Sequence, residues 1–565
     1  MELVKPMPIG VSDFSDMMEN GYYYVDKTHV IRELCQKKNK VTLFTRPRRF
    51  GKTLTLSMIA TFFDMTKKER ARKLFARTNI ADDLSLMEKI GTYPVVFISL
   101  KDVTGTTAGE IIQTLQLCLS FLYSSYPFLH NADGLAKDER QFVERISSCN
   151  SSEADLKYAL RSLTDFLYRY YKKKVILLID EYDAPIQCSW DYGYYTKTIP
   201  LFRAFLSNAF KDNPFIETAV LTGVLRVAKE SIFSGLNNLA VSTVLHGGYA
   251  DAFGFTSEEV RNMAEALGYQ DKLPELARWY DGYHFQGADI YNPWSVLNYF
   301  QEECHPRPFW VNTSSNSILR TMLERADLRT WKEMQTLLSG GSVASAITES
   351  TIYSTAMGAQ RNELYSVLLF CGYLQSTGEI GDDDHEDEPL YELSIPNSEI
   401  RRIYKKEVLH WMNGTEGTDI ALYDMLQAMT KGDAAAFEEN LQDLLLRTVS
   451  YHDTAKQPEC FYHGLMLGFT LYYERRYRMQ SNRESGLGRF DLAMFPQKPG
   501  LPGIILEFKA AETAEGLTDA AKEACAQIDA KAYVTAFRTE NITPVWKYGI
   551  AFCGKHVAIQ GTAAG

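Results

Sequence analysis

The chain has 565 residues, 45% hydrophobic and 23% charged, a composition that excludes both wholesale disorder and a coiled-coil rod. At a soft prior of about 150 residues per domain, the length implies three or four domains. A formal net charge of −11 excludes a protein that coats nucleic acid through its overall charge, so any nucleic-acid site must be a local basic surface. The nine cysteines are scattered and form no Cys-x-x-Cys pair, which argues for buried thiols in a reducing compartment and against a zinc ribbon. With no apolar leader and no run of roughly 18 to 20 apolar residues, the expectation is a cytoplasmic protein with no membrane partner.

In chain order, the first third alternates short β-branched runs at 41–45, 95–99, 175–179 and 219–222 with longer helical patterns. Continuous apolar strands separated by helices imply a parallel sheet buried on both faces, here an α/β core. From about 256 to 345 the pattern is mostly helical, with turn clusters at 280–285 and 291–295, as in a lid or second domain. Residues 350–450 read as largely helical, interrupted by the acidic run 381–388, a solvated hairpin tip or loop. The last hundred residues change to the order αββαβ: a helix near 461–472, strands at 489–495 and 503–509, a helix from 518 to 531, and short strands near Val534 and Tyr548. The boundaries drawn are 1–240, 241–345, 346–450 and 451–565.

Phe44-Thr-Arg-Pro-Arg-Arg-Phe-Gly-Lys-Thr-Leu54 follows a strand and opens a helical pattern, where backbone N–H groups at a helix N-terminus cradle phosphates. Contacts to ATP are expected from Arg48, Arg49, Phe50, Gly51, Lys52 and Thr53. Lys52 would neutralise the β- and γ-phosphates, and the Thr53 hydroxyl would ligate Mg²⁺. Arg46 stands where G-x-x-x-x-G-K-[ST] has its first glycine, and a basic turn capping a helix is the competing reading. The second half of the apparatus is Val175-Ile-Leu-Leu-Ile-Asp-Glu-Tyr-Asp183, an apolar strand ending in adjacent carboxylates. Asp180 would hold the metal through water, from the strand next to the loop's own, and Glu181 would act as base for the attacking water. Thr222, closing another strand, either senses the γ-phosphate or caps the strand.

With these motifs in hand, the sequence resembles the predicted AAA-type ATPases, abundant in anaerobic bacteria, that carry Arg-Pro-Arg-Arg-Phe-Gly-Lys-[Ser/Thr] in place of the standard loop. The resemblance covers nearly the whole chain. It rests also on Tyr24-Val-Asp-Lys-Thr28, Asp180-Glu-Tyr-Asp-Ala-Pro185, Thr222-Gly-Val-Leu-Arg226, the stretch 231–238, and the clusters at 280–285 and 291–295. It implies a P-loop NTPase domain with a parallel sheet, a helical lid, a helical or winged linker region, and a C-terminal PD-(D/E)XK-type α/β domain. Arg226 stays open between a transition-state charge stabiliser and a structural ion pair, and the role of Tyr283 stays open.

In the last domain Asp491 begins one strand, while Glu507 and Lys509, two apart on the next, project from one face with Phe508 on the other. If the strands pair, two carboxylates would hold Mg²⁺, or Mn²⁺, on a scissile phosphate, and the lysine would position and activate water. Alternating Glu and Lys on a solvent-facing strand is the competing reading. Gln527 occupies the place of the auxiliary glutamine seen in many PD-(D/E)XK nucleases. Glu484 is favoured over His463 and Glu474 as a further metal ligand. Arg475, Arg476, Arg478, Arg483 and Arg489 make the region locally basic, for phosphate contact or as a solvated arginine face. The expected function is an ATPase controlling a metal-dependent nuclease, with a homo-oligomer left open; action on DNA in anti-phage or mobile-element defence is what the resemblance alone implies. The alternatives are a nucleotide-dependent switch whose nuclease-like domain binds without cleaving, and an ATP-dependent scaffold.

Overall fold

The computed structural model describes residues 5–131, 134–227, 239–310, 328–349, 361–380, 389–413, 418–448, 458–470, 473, 476–481, 484–485 and 488–564. The stretches 231–238 and 381–388, together with Glu474, Arg475 and Arg483, lie outside them, as do the side chains of Glu484 and Arg489. By its contacts the chain divides into two units, Met1–Ser314 with Ala344–Ile400, and Ser315–Val343 with Arg401–Gly565.

In the first unit five runs form one parallel sheet: β1 (Val41–Thr45), β2 (Val95–Ser99), β3 (Val175–Asp180), β4 (Ile216–Gly223) and β5 (Leu239–Ser242). Their order is β2-β3-β4-β1-β5. β1 and β3 are buried at every residue, which requires cover on both faces and explains their unbroken apolar sequences. Asp180 is therefore not on the strand next to β1, as expected, because β4 lies between them. The apolar run Ala219 to Leu221 of β4 is itself buried and takes that central place. The phosphate-loop helix α1 (Lys52–Phe63) leaves β1, α2 (Glu153–Tyr171) leads into β3, and α3 (Ala184–Asp191) leaves it.

The stretch expected to be mostly helical also contains a small antiparallel sheet, β6 (Phe255–Thr256), β7 (Tyr283–Phe285) and β8 (Ala288–Tyr291), in the order β6-β8-β7. The cluster at 280–285 runs into a hairpin, because Gln286 and Gly287 both take positive φ, 52° and 88°, the backbone a tight two-residue turn needs. Around it the helices Ser257–Leu267, Leu273–Tyr280 and Pro293–Gln301 bury an aromatic core of Trp279, Tyr280, Tyr291, Tyr299 and Phe300. A third sheet, β9 (Val343–Ala346), β10 (Gln375–Ile380) and β11 (Leu390–Ser394), is ordered β10-β11-β9, with β10 and β11 antiparallel on either side of the acidic run.

The second unit holds α4 (Pro458–Thr470), β12 (Tyr477–Ser481), the short pair β13 (Glu484–Ser485) and β14 (Gly488–Arg489), β15 (Leu492–Pro496), β16 (Gly503–Ala510), α5 (Leu517–Ala530), β17 (Val545–Cys553) and β18 (His556–Ala563). The mixed sheet runs β12-β15-β16-β17-β18, with only β16 and β17 parallel, as the α5 crossover between them demands. The strand expected near Val534 is instead the helical turn Thr535–Thr539, which buries Phe537 flat against Phe495. The helices Thr418–Lys431 and Ala434–Thr448 pack on this sheet too, Tyr548 donating to the Met429 carbonyl at 2.7 Å. No helix among the described residues is long and apolar enough to cross a membrane.

Candidate functional site

At the C-terminal edge of the parallel sheet, Phe44, Thr222, Asp180 and Ser99 lie level across β1, β4, β3 and β2. The turn after β1 ends at Gly51, which caps α1 at φ 85°, a left-handed conformation that glycine adopts without strain. The first intrahelical bond runs from the Thr55 N–H to the Gly51 carbonyl, so the N–H groups of Lys52, Thr53 and Leu54 precede any acceptor in the helix. The Thr53 hydroxyl donates to Asp180 Oδ2 at 2.7 Å, and the Thr222 hydroxyl donates to Asp180 Oδ1. Asp180, 1% exposed, thus joins α1 to the intervening strand β4.

Lys52 is buried, and its Nζ donates to the carbonyls of Arg46 and Pro47 at 3.0 and 2.8 Å. Burial pulls its pKa down, opposed by Glu181, Asp180 and Asp183. Glu181 sits at φ 49° just past β3 and makes no side-chain hydrogen bond among the described residues. Burial pushes its carboxyl above the ordinary value, Lys52 pulls it back, and Asp180 and Asp183 push it further up. Helix N–H groups, a buried ammonium, a Thr–Asp pair and an unbonded carboxylate form the donor and acceptor set that a magnesium nucleotide requires.

The second constellation lies on the C-terminal sheet. β15 and β16 pair with Leu492 opposite Leu506, so Asp491, one residue before β15, comes level with Glu507. The Asp491 N–H donates to Glu507 Oε2 at 3.3 Å, and Asp491 Oδ2 accepts the Phe508 N–H at 2.8 Å. Asp491 stands just outside the strand because its carboxylate takes up a backbone donor of the neighbouring strand. Glu507 is 3% exposed and accepts a hydrogen bond from Gln527 on α5. Burial first, then the Asp491 charge, pushes its carboxyl up to about 8. Lys509 projects from the same face, its Nζ 2.7 Å from Glu523 Oε2 on α5. A buried carboxylate beside a half-buried one, flanked by an ammonium, suits a hard cation bound through oxygen. Phe508 faces the other side, where its ring meets His463 of α4 at 5.4 Å, which separates His463 from the carboxylates.

Residues 8–233 match the family model described as Predicted AAA-ATPase, and residues 457–561 match that of the PD-(D/E)XK nuclease superfamily. The chain carries an AAA-ATPase-like domain and a PD-(D/E)XK nuclease superfamily domain. A relative from Azotobacter chroococcum mcd 1, described as an uncharacterized protein in the vnfD 5′ region, is 27% identical over 412 residues, 72% of this chain and 70% of its own length.

Within the AAA-ATPase-like domain, several loop residues serve the fold. Arg46 is fully buried with no carboxylate partner among the described residues. Its guanidinium donates to the carbonyls of Thr45, Ser242 and Tyr249 and to the Ser242 hydroxyl, between the Phe253 and Phe285 rings, and burial lowers its pKa to about 9. Phe50 packs on Tyr283 and Phe285 at 5.1 and 5.3 Å, which gives Tyr283 a structural place. Arg48 donates to Gln187 at 3.1 Å, and Arg49 lies 4.6 Å over the Trp294 ring. Arg226 is 3.5 Å from Glu349, the ion-pair alternative.

Sequence reasoning missed three residues. Asp183, 4% exposed, accepts the N–H groups of Val224 and Leu225 at 2.8 and 2.9 Å and so pins the turn after β3 to the turn after β4. The Trp310 indole donates to the Arg48 carbonyl at 3.2 Å, and Glu523 holds Lys509. Only Glu523 left a signal, four residues before Gln527 and so on the same helix face.

Proposed function

We propose that the AAA-ATPase-like domain binds and hydrolyses MgATP, and that it controls a metal-dependent nuclease centre acting on DNA. The observation that carries this reading is the junction of Thr53, Asp180 and Thr222, which sets a helix N-terminus, a buried lysine and the unbonded Glu181 around one point. Bound Mg²⁺ would supply neutralisation of phosphate charge, with Thr53 and Asp180 to hold it. Lys52 trades two loop carbonyls for phosphate oxygens, and Glu181 takes the proton of the attacking water. In the second domain Asp491 and Glu507 would hold the cation while Lys509 orients water. A setting in anti-phage or mobile-element defence follows the resemblance given above, and plaque counts with wild type and Asp491→Ala test it.

A purified-protein assay on plasmid, linear and single-stranded DNA, with and without ATP and Mg²⁺ or Mn²⁺, tests the reading. Lys52→Ala is expected to abolish nucleotide binding or hydrolysis, and Glu181→Gln to bind nucleotide without turnover. Asp491→Ala or Lys509→Ala is expected to abolish cleavage and leave ATP hydrolysis largely intact. Equal hydrolysis by Glu181→Gln and wild type would sink its assigned role. The second reading, a nucleotide-dependent switch that binds nucleic acid without cutting it, is favoured by the engagement of Lys509 with Glu523, and absence of cleavage under every metal condition would select it.

A further inference from the structure

The nucleotide machinery occupies the C-terminal ends of the parallel strands. The opposite ends carry a different surface. Because β1, β3 and β4 are parallel neighbours, the segments entering them emerge side by side, and those segments hold Lys38, Lys40, Lys172, Lys173, Lys174 and Lys211. Lys40 Nζ donates to the carbonyls of Ile216 and Glu217, the first two residues of β4, the latter at 3.2 Å, and Lys174 Nζ lies 3.9 Å from the Glu217 carboxylate. These contacts confirm that separate lysine-bearing segments converge. Arg161 of α2 donates to the carbonyls of Lys211 and Asp212 at 3.0 and 3.2 Å and adds its charge to the edge. Burial first, and then the neighbouring Lys174, holds the Lys40 ammonium below its ordinary value, against the opposite pull of Glu217.

Lys38, Lys172, Lys173 and Lys211 are exposed and make no ion pair among the described residues. The same segments carry the exposed carboxylates of Asp212 and Glu217, fewer than the lysines, so in a chain of net charge −11 this is a concentrated edge of net positive charge. Aromatic rings stand beside it. Tyr168, 37% exposed, leans on Phe215 at 5.5 Å, and Tyr170, 52% exposed, stacks on Phe128 at 4.2 Å. Lysines that contact a phosphate backbone, next to exposed rings on which bases stack, are the elements of a nucleic-acid platform.

We propose that the N-terminal edge of the parallel sheet, from the segments entering β1, β3 and β4, is a docking surface for the nucleic-acid backbone. It is separate from the PD-(D/E)XK centre. The choice of nucleic acid over other polyanions rests on the nuclease reading above. A five-residue parallel strand spans about 17 Å, so this edge is remote enough from Lys52 and Glu181 to be altered without touching them.

The test is fluorescence anisotropy with labelled single-stranded and duplex DNA, using the full chain in EDTA with Asp491→Ala as background, so that cleavage plays no part. In it, Lys173→Glu, Lys174→Glu and Lys211→Glu are combined, avoiding Lys38 and Lys172, whose backbones are left-handed. Retained ATP hydrolysis in the wild-type background reports that the triple variant is folded, and Lys→Gln at the same positions replaces it if it is not. Affinity is expected to fall at least about tenfold near 0.1 M salt, and the slope of log K against log salt to drop by up to about 3. Unchanged affinity and slope would overturn the proposal, as would a variant that keeps DNA but loses anionic vesicles. If no cleavage is ever found yet the lysine variant loses DNA, the nuclease reading falls alone. If cleavage proceeds and the lysine variant binds as wild type does, this surface falls alone.

Discussion

Glu399 offers a perturbation whose size follows from its surroundings. It is fully buried, its Oε1 accepting the Trp310 N–H at 2.8 Å and its Oε2 the Ser295 hydroxyl at 2.7 Å, and burial still raises its carboxyl to about 7 from 4.5. Below about pH 4.5 it is protonated in both the folded and unfolded chain and contributes no pH dependence. Between about 4.5 and 7 the unfolded chain releases the proton while the folded one keeps it, so stability falls as pH rises. Above about 7 the loss is complete, about 3 to 4 kcal/mol at about 1.4 kcal/mol per pKa unit. Glu399→Gln retains an acceptor for Trp310 and removes the titration. The variant is therefore expected to gain about 2 to 3 kcal/mol relative to wild type between pH 5 and 8. Urea unfolding followed by hydrogen exchange in peptides of β1 and β4 reads this unit alone. Parallel stability profiles for the two proteins across that range would refute the argument. The outcome bears on function because the Trp310 backbone held by Glu399 carries the indole that bonds the Arg48 carbonyl of the phosphate loop.

Arg46→Ala is expected to cost about 3 to 5 kcal/mol, because it empties a buried site and strands the carbonyls of Ser242 and Tyr249; hydrogen exchange near β5 measures it. Glu523→Ala breaks an exposed ion pair and is expected to change stability by less than about 0.5 kcal/mol and cleavage by less than about twofold. A loss of about tenfold or more in cleavage would instead give Glu523 a direct part in the site. Gly549→Ala places a Cβ 2.2 Å from the Ala521 carbonyl and the Cys525 nitrogen of α5, and overpacking of about 1 to 3 kcal/mol is expected. An unshifted melting transition of the second unit would contradict that close approach.

The elements most legible in the sequence were those with one dominant local cause. Continuous apolar runs gave β1 and β3, Gly51-Lys52-Thr53 after a strand gave the start of α1, and the two-residue spacing of Glu507 and Lys509 gave their shared face. The insertion of β4 between β1 and β3 was not legible, because strand order depends on pairing between distant segments and leaves no mark on either strand. The hairpin at 283–291 was obscured by Gln286, which takes a left-handed backbone usually signalled by Gly or Asn. Arg46 reads as one more basic residue of a phosphate loop, and only its burial among carbonyls shows it to be a tie between β1, β5 and the turn at Tyr249. The helix after Val534 follows from Phe537 seeking Phe495, a tertiary contact that local propensity does not reveal.

The alignment of β16 with α5 limits how this site tolerates changes in chain length. Two residues of strand advance about 6.7 Å and four residues of helix about 6 Å, so Glu507 with Gln527 and Lys509 with Glu523 match at two successive rungs. Four helical residues also turn the direction of projection by about 40°, and a third rung would be about 80° off. Asp519, at that third position, bonds Lys522 on its own helix instead. The match is a short vernier, and a single residue inserted or deleted between 523 and 527 would swing one partner by about 100° and separate the two rungs. Insertions in the connection at 511–516, which precedes the helix, leave the phase untouched. Descendants of this sequence are thus expected to vary in length before Leu517 and to keep the spacing from Ala521 and Cys525, which pack on Gly549, to Gln527, which bonds the buried Glu507.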